Sequence, residues 1–124
     1  MNLLEKSPGR KSGERLLMES KVLNILKELK IGLSRTYGDR LKGVFLFGSY
    51  ARGEQDKESD FDVLVIIDEF SAGYGTEVTR TGQLTSDLSL KYGISISKVF
   101  LREKDWTQAE NPFLFNVRQE VIAA

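Results

Sequence analysis

Between Glu14 and Tyr37 the apolar residues Met18, Val22, Ile25, Leu26, Leu29 and Leu33 recur at three- and four-residue spacing. That period is helical and makes one apolar stripe, which predicts a helix packed on a sheet. A lesser reading has part of the stripe facing a partner. Gly38 ends the helix, and the polar pair Asp39-Arg40 turns the chain. Two apolar runs follow, Gly43-Val44-Phe45-Leu46-Phe47 and the stretch from Ser59 to Ile67, each of strand length. A second helix is predicted from Thr76 to Tyr92, with Val78, Leu84, Leu88 and Tyr92 as a partial apolar face and Gly93 as its stop. A third strand runs from Gly93 to Leu101. Asn111-Pro112 starts a last helix, with Asn as cap and Pro in the first turn. Phe113, Val117 and Val121 share a face of it. Trp106, Phe113 and Phe115 are read as core and lid over the sheet, with a partner-docking patch as the alternative. Residues 1–13 are rich in Gly, Pro, Ser and charge and predict a flexible tail, which leaves 14–124 as one domain.

The chemistry concentrates where the first two strands meet. The first strand runs into Gly48-Ser49-Tyr50-Ala51-Arg52-Gly53, and Asp60-Phe61-Asp62 opens the second. Side chains alternate along a strand, so Phe61, Val63, Val65 and Ile67 cover one side. Asp60 and Asp62 share the other, with alpha carbons roughly 6.5 to 7 Å apart. Two adjacent carboxylates at the end of an apolar strand repel unless a cation sits between them, and Mg²⁺ suits oxygen ligands while leaving room for phosphate and water. Gly48 removes side-chain bulk where backbone meets a ligand. Ser49 brings a hydroxyl, and backbone N–H groups at the start of a short following helix suit a phosphate. Arg52 either reaches a triphosphate with its planar head or pairs with Glu54 or Asp56. Each half of this pattern has an ordinary reading: Gly-Ser is often a plain turn, and Ser-Asp often caps backbone. Their joint occurrence, in this order and on these elements, is far more specific.

Gly48-Ser49, ten residues, then Asp60-x-Asp62 resembles the signature of the DNA polymerase beta-like nucleotidyltransferase superfamily. The surrounding Gly-Ser-Tyr-Ala-Arg-Gly and Ser-Asp-Phe-Asp are most similar to its minimal nucleotidyltransferase branch, over roughly residues 20–122. The resemblance implies an α/β (α+β) nucleotidyltransferase fold, a small mixed β-sheet of three or more strands with flanking helices. It implies metal-dependent transfer of a nucleoside monophosphate from a nucleoside triphosphate, such as ATP, to a hydroxyl, with Mg²⁺ or Mn²⁺. Gly48, Ser49 and Arg52 would bind the nucleotide, and Asp60 and Asp62 would be the catalytic metal ligands. Some relatives in this branch are antitoxins that adenylylate a small helical toxin of the HEPN type, so a partner protein is one acceptor beside RNA and small molecules. The family pattern also has a third carboxylate on the next long strand. Here that strand contains no acid, and Ser97 stands at the degenerate third-carboxylate position. A serine hydroxyl is neither an anionic ligand nor a good base near neutral pH. Glu103 and Asp105, just beyond the strand, are the nearest acids in sequence. The alternative function is therefore a catalytically impaired module that binds nucleotide or partner.

Composition narrows the field. The chain has 124 residues with 18 basic and 18 acidic side chains, so no global field draws it to nucleic acid or an anionic membrane. It has no cysteine and no histidine. That excludes disulfides and thiolate zinc sites, and leaves acid–base work to carboxylates, lysine, tyrosine or water. No apolar run is long enough to span a bilayer and the start lacks a signal-peptide core, which points to the cytoplasm. The Gly48–Gly53 segment lacks the Lys-Ser/Thr ending of a P-loop and the glycine spacing of a dinucleotide-binding turn.

Overall fold

A computed structural model describes residues 12–107 and 112–124. The chain alternates helices and strands: α1 Ser12–Tyr37, β1 Leu41–Phe47, α2 Ser49–Arg52, β2 Phe61–Ile67, α3 Tyr74–Arg80, α4 Gly82–Tyr92, β3 Ile96–Arg102, α5 Glu103–Thr107, α6 Pro112–Glu120 and β4 Ile122–Ala123. The sheet order is β3-β2-β1-β4. β1 runs antiparallel to β2 and to β4, whereas β2 and β3 are parallel and joined through α3 and α4. The sheet is mixed, with helices on both faces, as the resemblance implied.

One face carries the larger core. Val22, Ile25, Leu26, Leu29 and Leu33 of α1 are all buried and pack with Val44, Leu46, Phe61, Val63, Val65, Ile67 and Phe100 of the sheet. The predicted stripe is thus the packed face of α1, and each such side chain contributes about 1.5–3 kcal/mol on burial. α4 lies beside α1, and the approach is close at Gly32. A β carbon there would sit 2.5 Å from Leu84 Cδ1, so any larger residue would force the Leu84 side chain to shift. The opposite face is smaller. Leu64, Ile66 and Val117 are buried there, with Phe45, Val99, Leu101, Trp106 and Val121 packed around them.

Several boundaries differ from the sequence reading. The predicted helix from Thr76 to Tyr92 is two helices, α3 and α4, broken at Thr81. The Thr81 hydroxyl donates back to Glu77 O at 3.0 Å, and Gly82 follows; both weaken helix continuity. α5 and the two-residue β4 had no local signal. Ser12 and Gly13, assigned to the tail, are helical, while the rest of the expected tail, like the Asn111 cap, lies outside the described residues. Phe115, read as core or lid, is 62% exposed. Phe113 is also largely exposed, but its ring meets Phe47 edge-on at 6.1 Å.

Candidate active site

The site is built where β1 ends and β2 begins. β1 leads into Gly48, whose φ of 77° and ψ of −158° turn the chain sharply into α2. Gly48 O then accepts from Ala51 N–H at 3.1 Å and Arg52 N–H at 3.2 Å. Tyr50 is buried and packs on Phe61 with ring centroids 5.3 Å apart, which fixes this turn to the core. At the other strand, Phe61 N–H donates to Ser95 O at 2.8 Å and ties the start of β2 to the start of β3.

Asp62 stands in register with Phe47 of β1 on one side and Ser97 of β3 on the other. Phe61, Val63, Val65 and Ile67 fill the larger core, so alternation puts Asp62 on the opposite face, as read from sequence. Its carboxylate reaches the Gly48 corner: a β carbon on Gly48 would lie 2.3 Å from Asp62 Oδ2. Asp60 precedes the first residue of β2 and is exposed. It belongs to the connection, and a local turn holds the approach to it. Asp56 Oδ1 accepts from Glu58 N–H at 2.9 Å and from the Ser59 hydroxyl at 3.3 Å. Burial raises the Asp62 pKa above its ordinary value and the neighbouring Asp60 charge raises it further, with Arg52 opposing. The two aspartates are therefore close enough to feel each other's charge.

A cavity of about 830 Å³ adjoins Asp60, bounded by Met18, Lys21, Tyr50, Lys57, Ser89 and Ile94. Its size falls in the range of small-molecule sites. Gly48, Ser49, Arg52 and Asp62 do not line this cavity.

Arg52 pairs with Glu54, Nε to Oε1 at 3.5 Å, as one of its two sequence readings expected. Asp56 is instead engaged in its own turn. A residue that sequence reasoning missed completes the corner. Glu120, at the end of α6, accepts from Gly48 N–H at 3.2 Å through Oε1 and from Arg52 Nη1 at 3.1 Å through both oxygens. It lies 68 positions from Arg52 and no local pattern marks it.

Ser97 sits beside Asp62 on the same sheet face. Glu103 and Asp105 do not reach back. They begin α5 at the far end of β3, and Asp105 is bound to Arg102, Oδ2 to Nε at 2.7 Å. Lys98 points the other way, as alternation requires, and donates to Thr81 Oγ1 at 2.8 Å and Val78 O at 3.2 Å. Burial lowers its pKa. Among the described residues no group of three or more acids is arranged around one cation position.

The sequence profile of the family described as "Nucleotidyltransferase domain" matches residues 20–120. The chain belongs to the minimal nucleotidyltransferases. Two Methanocaldococcus jannaschii proteins, each named "Putative protein adenylyltransferase", are similar to it. One is 40% identical over 82 residues, covering 66% of this chain and 81% of its own length. The other is 34% identical over 96 residues, covering 77% and 89%. The fold of this minimal nucleotidyltransferase is shared by a chain of a toxin–antitoxin crystal structure with AMP-PNP. The TM-score is 0.52 at 19% identity, with 78% of this chain and 69% of that chain covered. It is shared equally by a chain of a mutant toxin–antitoxin MntA-HpeT structure, with a TM-score of 0.51 at 20% identity and coverage of 77% and 70%. Nucleotidyl transfer is the activity for which the family is named. No helix among the described residues is long and apolar enough to cross a membrane.

Proposed function

We propose that this protein transfers the nucleoside monophosphate of a triphosphate, ATP by analogy with the adenylyltransferase relatives, to a hydroxyl on a partner protein. The observation that carries the reading is the contact between the Asp62 carboxylate and the Gly48 corner, an acidic side chain set against a turn suited to phosphate. Because the chains that share this fold come from toxin–antitoxin structures, a toxin protein is the first partner to test, and the HEPN type named by the sequence resemblance is the first kind to try.

The residues fit a divalent metal. Asp62 has its pKa raised first by burial and then by the neighbouring Asp60 charge, with Arg52 only opposing, so a cation between the two carboxylates would relieve their repulsion. Asp60 and Asp62 would hold Mg²⁺ or Mn²⁺, with phosphate oxygens and water as its remaining ligands. When bound, the metal supplies charge stabilisation at the attacked phosphate and the leaving pyrophosphate. The chain's own part is positioning. Gly48 lets backbone approach the phosphates, Ser49 offers its hydroxyl, and Arg52 offers a planar cation. The acceptor oxygen forms a bond to the α-phosphorus, the bond to pyrophosphate breaks, and the acceptor's proton passes to water. Positioning and electrostatics do most of the work in such transfers.

One observation favours a second reading. Ser97 is level with Asp62 where the family pattern has an acid, and no other carboxylate on β3 replaces it. A protein with this centre could bind nucleotide and partner without transfer. Incubation with labelled nucleoside triphosphates, Mg²⁺ and the product of a neighbouring gene separates the two. Label on the partner that vanishes in Asp60→Asn and Asp62→Asn supports the enzyme. Metal-dependent nucleotide binding with no transfer supports the binding module.

A further inference from the structure

Glu120 occupies donors that the nucleotide reading assigns to phosphate. Its carboxylate takes the Gly48 N–H and chelates Arg52 Nη1 with both oxygens. The contact joins the C-terminal helix to the Gly48 corner across 72 residues of sequence, so it is a tertiary choice and not a by-product of local geometry. The Glu120 side chain is 26% exposed and that of Arg52 is 40% exposed, which leaves both within reach of an entering ligand. A phosphate oxygen seeks the same partners as a carboxylate oxygen, a guanidinium and a backbone N–H. The single Gly48 N–H and the Nη1 group of Arg52 cannot serve both anions at once, so a phosphate at these atoms displaces Glu120.

We propose that Glu120 is an internal competitor for the triphosphate: it holds the Gly48 and Arg52 donors while nucleotide is absent, and nucleotide entry releases it together with the end of α6. The inference rests on the nucleotide reading of this corner and adds a form of regulation to it. Release has a defined reach along the helix. Val117 stays anchored in the smaller core, whereas Arg118, two residues before Glu120, lies over the Trp106 ring with its guanidinium carbon 4.7 Å from the centroid. Trp106, itself stacked on Phe45 at 5.4 Å, is the sole tryptophan of the chain. The indole therefore reports the position of the helix end.

The test is calorimetric titration of the full chain with a non-hydrolysable ATP analogue in Mg²⁺, for the wild type, Glu120→Ala and Glu120→Gln. Removing a competing state raises the competent fraction, and the apparent Kd falls by that factor. For a partly exposed ion pair, about two- to fivefold tighter binding is expected in Glu120→Ala. Glu120→Gln keeps the shape without the charge and guards against a folding defect; it is expected to bind tighter than wild type as well. Saturation of the wild type should change Trp106 emission, and nucleotide-free Glu120→Ala should already resemble the saturated spectrum. Unchanged or weaker nucleotide binding in the folded variants overturns the competitor role while leaving the nucleotide site standing. Absence of binding by the wild type and both variants overturns the nucleotide reading, and the inference falls with it.

Discussion

The carboxylate of Asp62 lies against the α carbon of Gly48, so close that a β carbon on Gly48 would come within 2.3 Å of Oδ2. The glycine is required twice. Its φ of 77° with ψ of −158° belongs to a backbone region that side chains beyond glycine essentially never adopt. Gly48→Ala is therefore expected to cost about 1–3 kcal/mol in stability and to push Asp62 aside. Urea unfolding and Mg²⁺-dependent nucleotide binding measure the two effects. An alanine variant with wild-type stability and affinity would show that the corner does not depend on this contact.

Asp62 should show function and stability pulling apart. Burial and the Asp60 charge raise its pKa in the folded state. A carboxyl whose folded pKa is raised binds its proton more tightly in the native chain, so its contribution to stability falls as pH rises through the window above the ordinary aspartate value. At neutral pH the ionised group is then a net cost. Asp62→Asn is expected to raise Tm at pH 7, by a margin that shrinks towards pH 4. Transfer should fall on the order of a hundredfold or more, because several kcal/mol of charge stabilisation are lost with the ligand. Parallel thermal melts at the two pH values and a label-transfer assay check both. A lower Tm at pH 7 would mean that Asp62 is better compensated than its surroundings imply.

What could be read in advance was what local spacing encodes. The 3.6-residue period of α1 predicted which residues face the sheet, because a helix buries one stripe and each of Val22, Ile25, Leu26, Leu29 and Leu33 falls on it. The two-residue period of β2 placed Asp62 opposite the main core, and the same alternation sent Lys98 away from Ser97. The features missed are those decided by contacts distant in sequence. β4 is two residues long and exists because Ile122 and Ala123 find the free edge of β1. Glu120 looks like any solvated helix terminus until the fold carries it to Arg52. The break at Thr81 was legible in principle from Thr81-Gly82, but the apolar residues on either side masked it.

Glu77 is another residue that sequence patterning passed over. It is completely buried, and accepts from the Tyr37 hydroxyl at 2.8 Å, from Ser71 N–H at 3.0 Å and Oγ at 3.2 Å, and from Arg80 Nε at 3.2 Å. Burial pushes its pKa up, but the Ser71 and Tyr37 hydrogen bonds and the Arg80 charge outweigh it and hold the carboxyl below its ordinary value. A lowered folded pKa contributes stability that is present above the ordinary glutamate value and lost as pH falls through the folded one. Glu77→Ala leaves the buried Tyr37 hydroxyl without its acceptor and removes the bonds to Ser71 and Arg80, and is expected to cost about 1–3 kcal/mol at pH 7. The wild type's advantage over it should shrink as the solution is acidified below pH 4. Urea unfolding across that range is the check, and a difference independent of pH would assign the loss to packing instead of charge.

Ser97 offers the sharpest test of the metal site. It is the direct neighbour of Asp62 in the parallel pair β2–β3, at the interstrand spacing of roughly 4.8 Å and on the same face. Ser97→Asp would place a third carboxylate where the existing pair lacks one. Without metal, three clustered acids repel, and the variant is expected to melt below the wild type and to do so increasingly as pH rises from 4 to 7. With Mg²⁺ the order should reverse, because a ligand that binds the native state raises its stability in proportion to its affinity. Thermal melts across a Mg²⁺ series, with half-saturation of nucleotide binding read in parallel, give the answer. A lower Mg²⁺ requirement in Ser97→Asp, with transfer gained or increased, identifies the wild-type centre as one that has lost a ligand. If Mg²⁺ fails to offset the loss of stability, the acidic pair does not hold the cation at this position, and the proposed transfer chemistry loses its foundation.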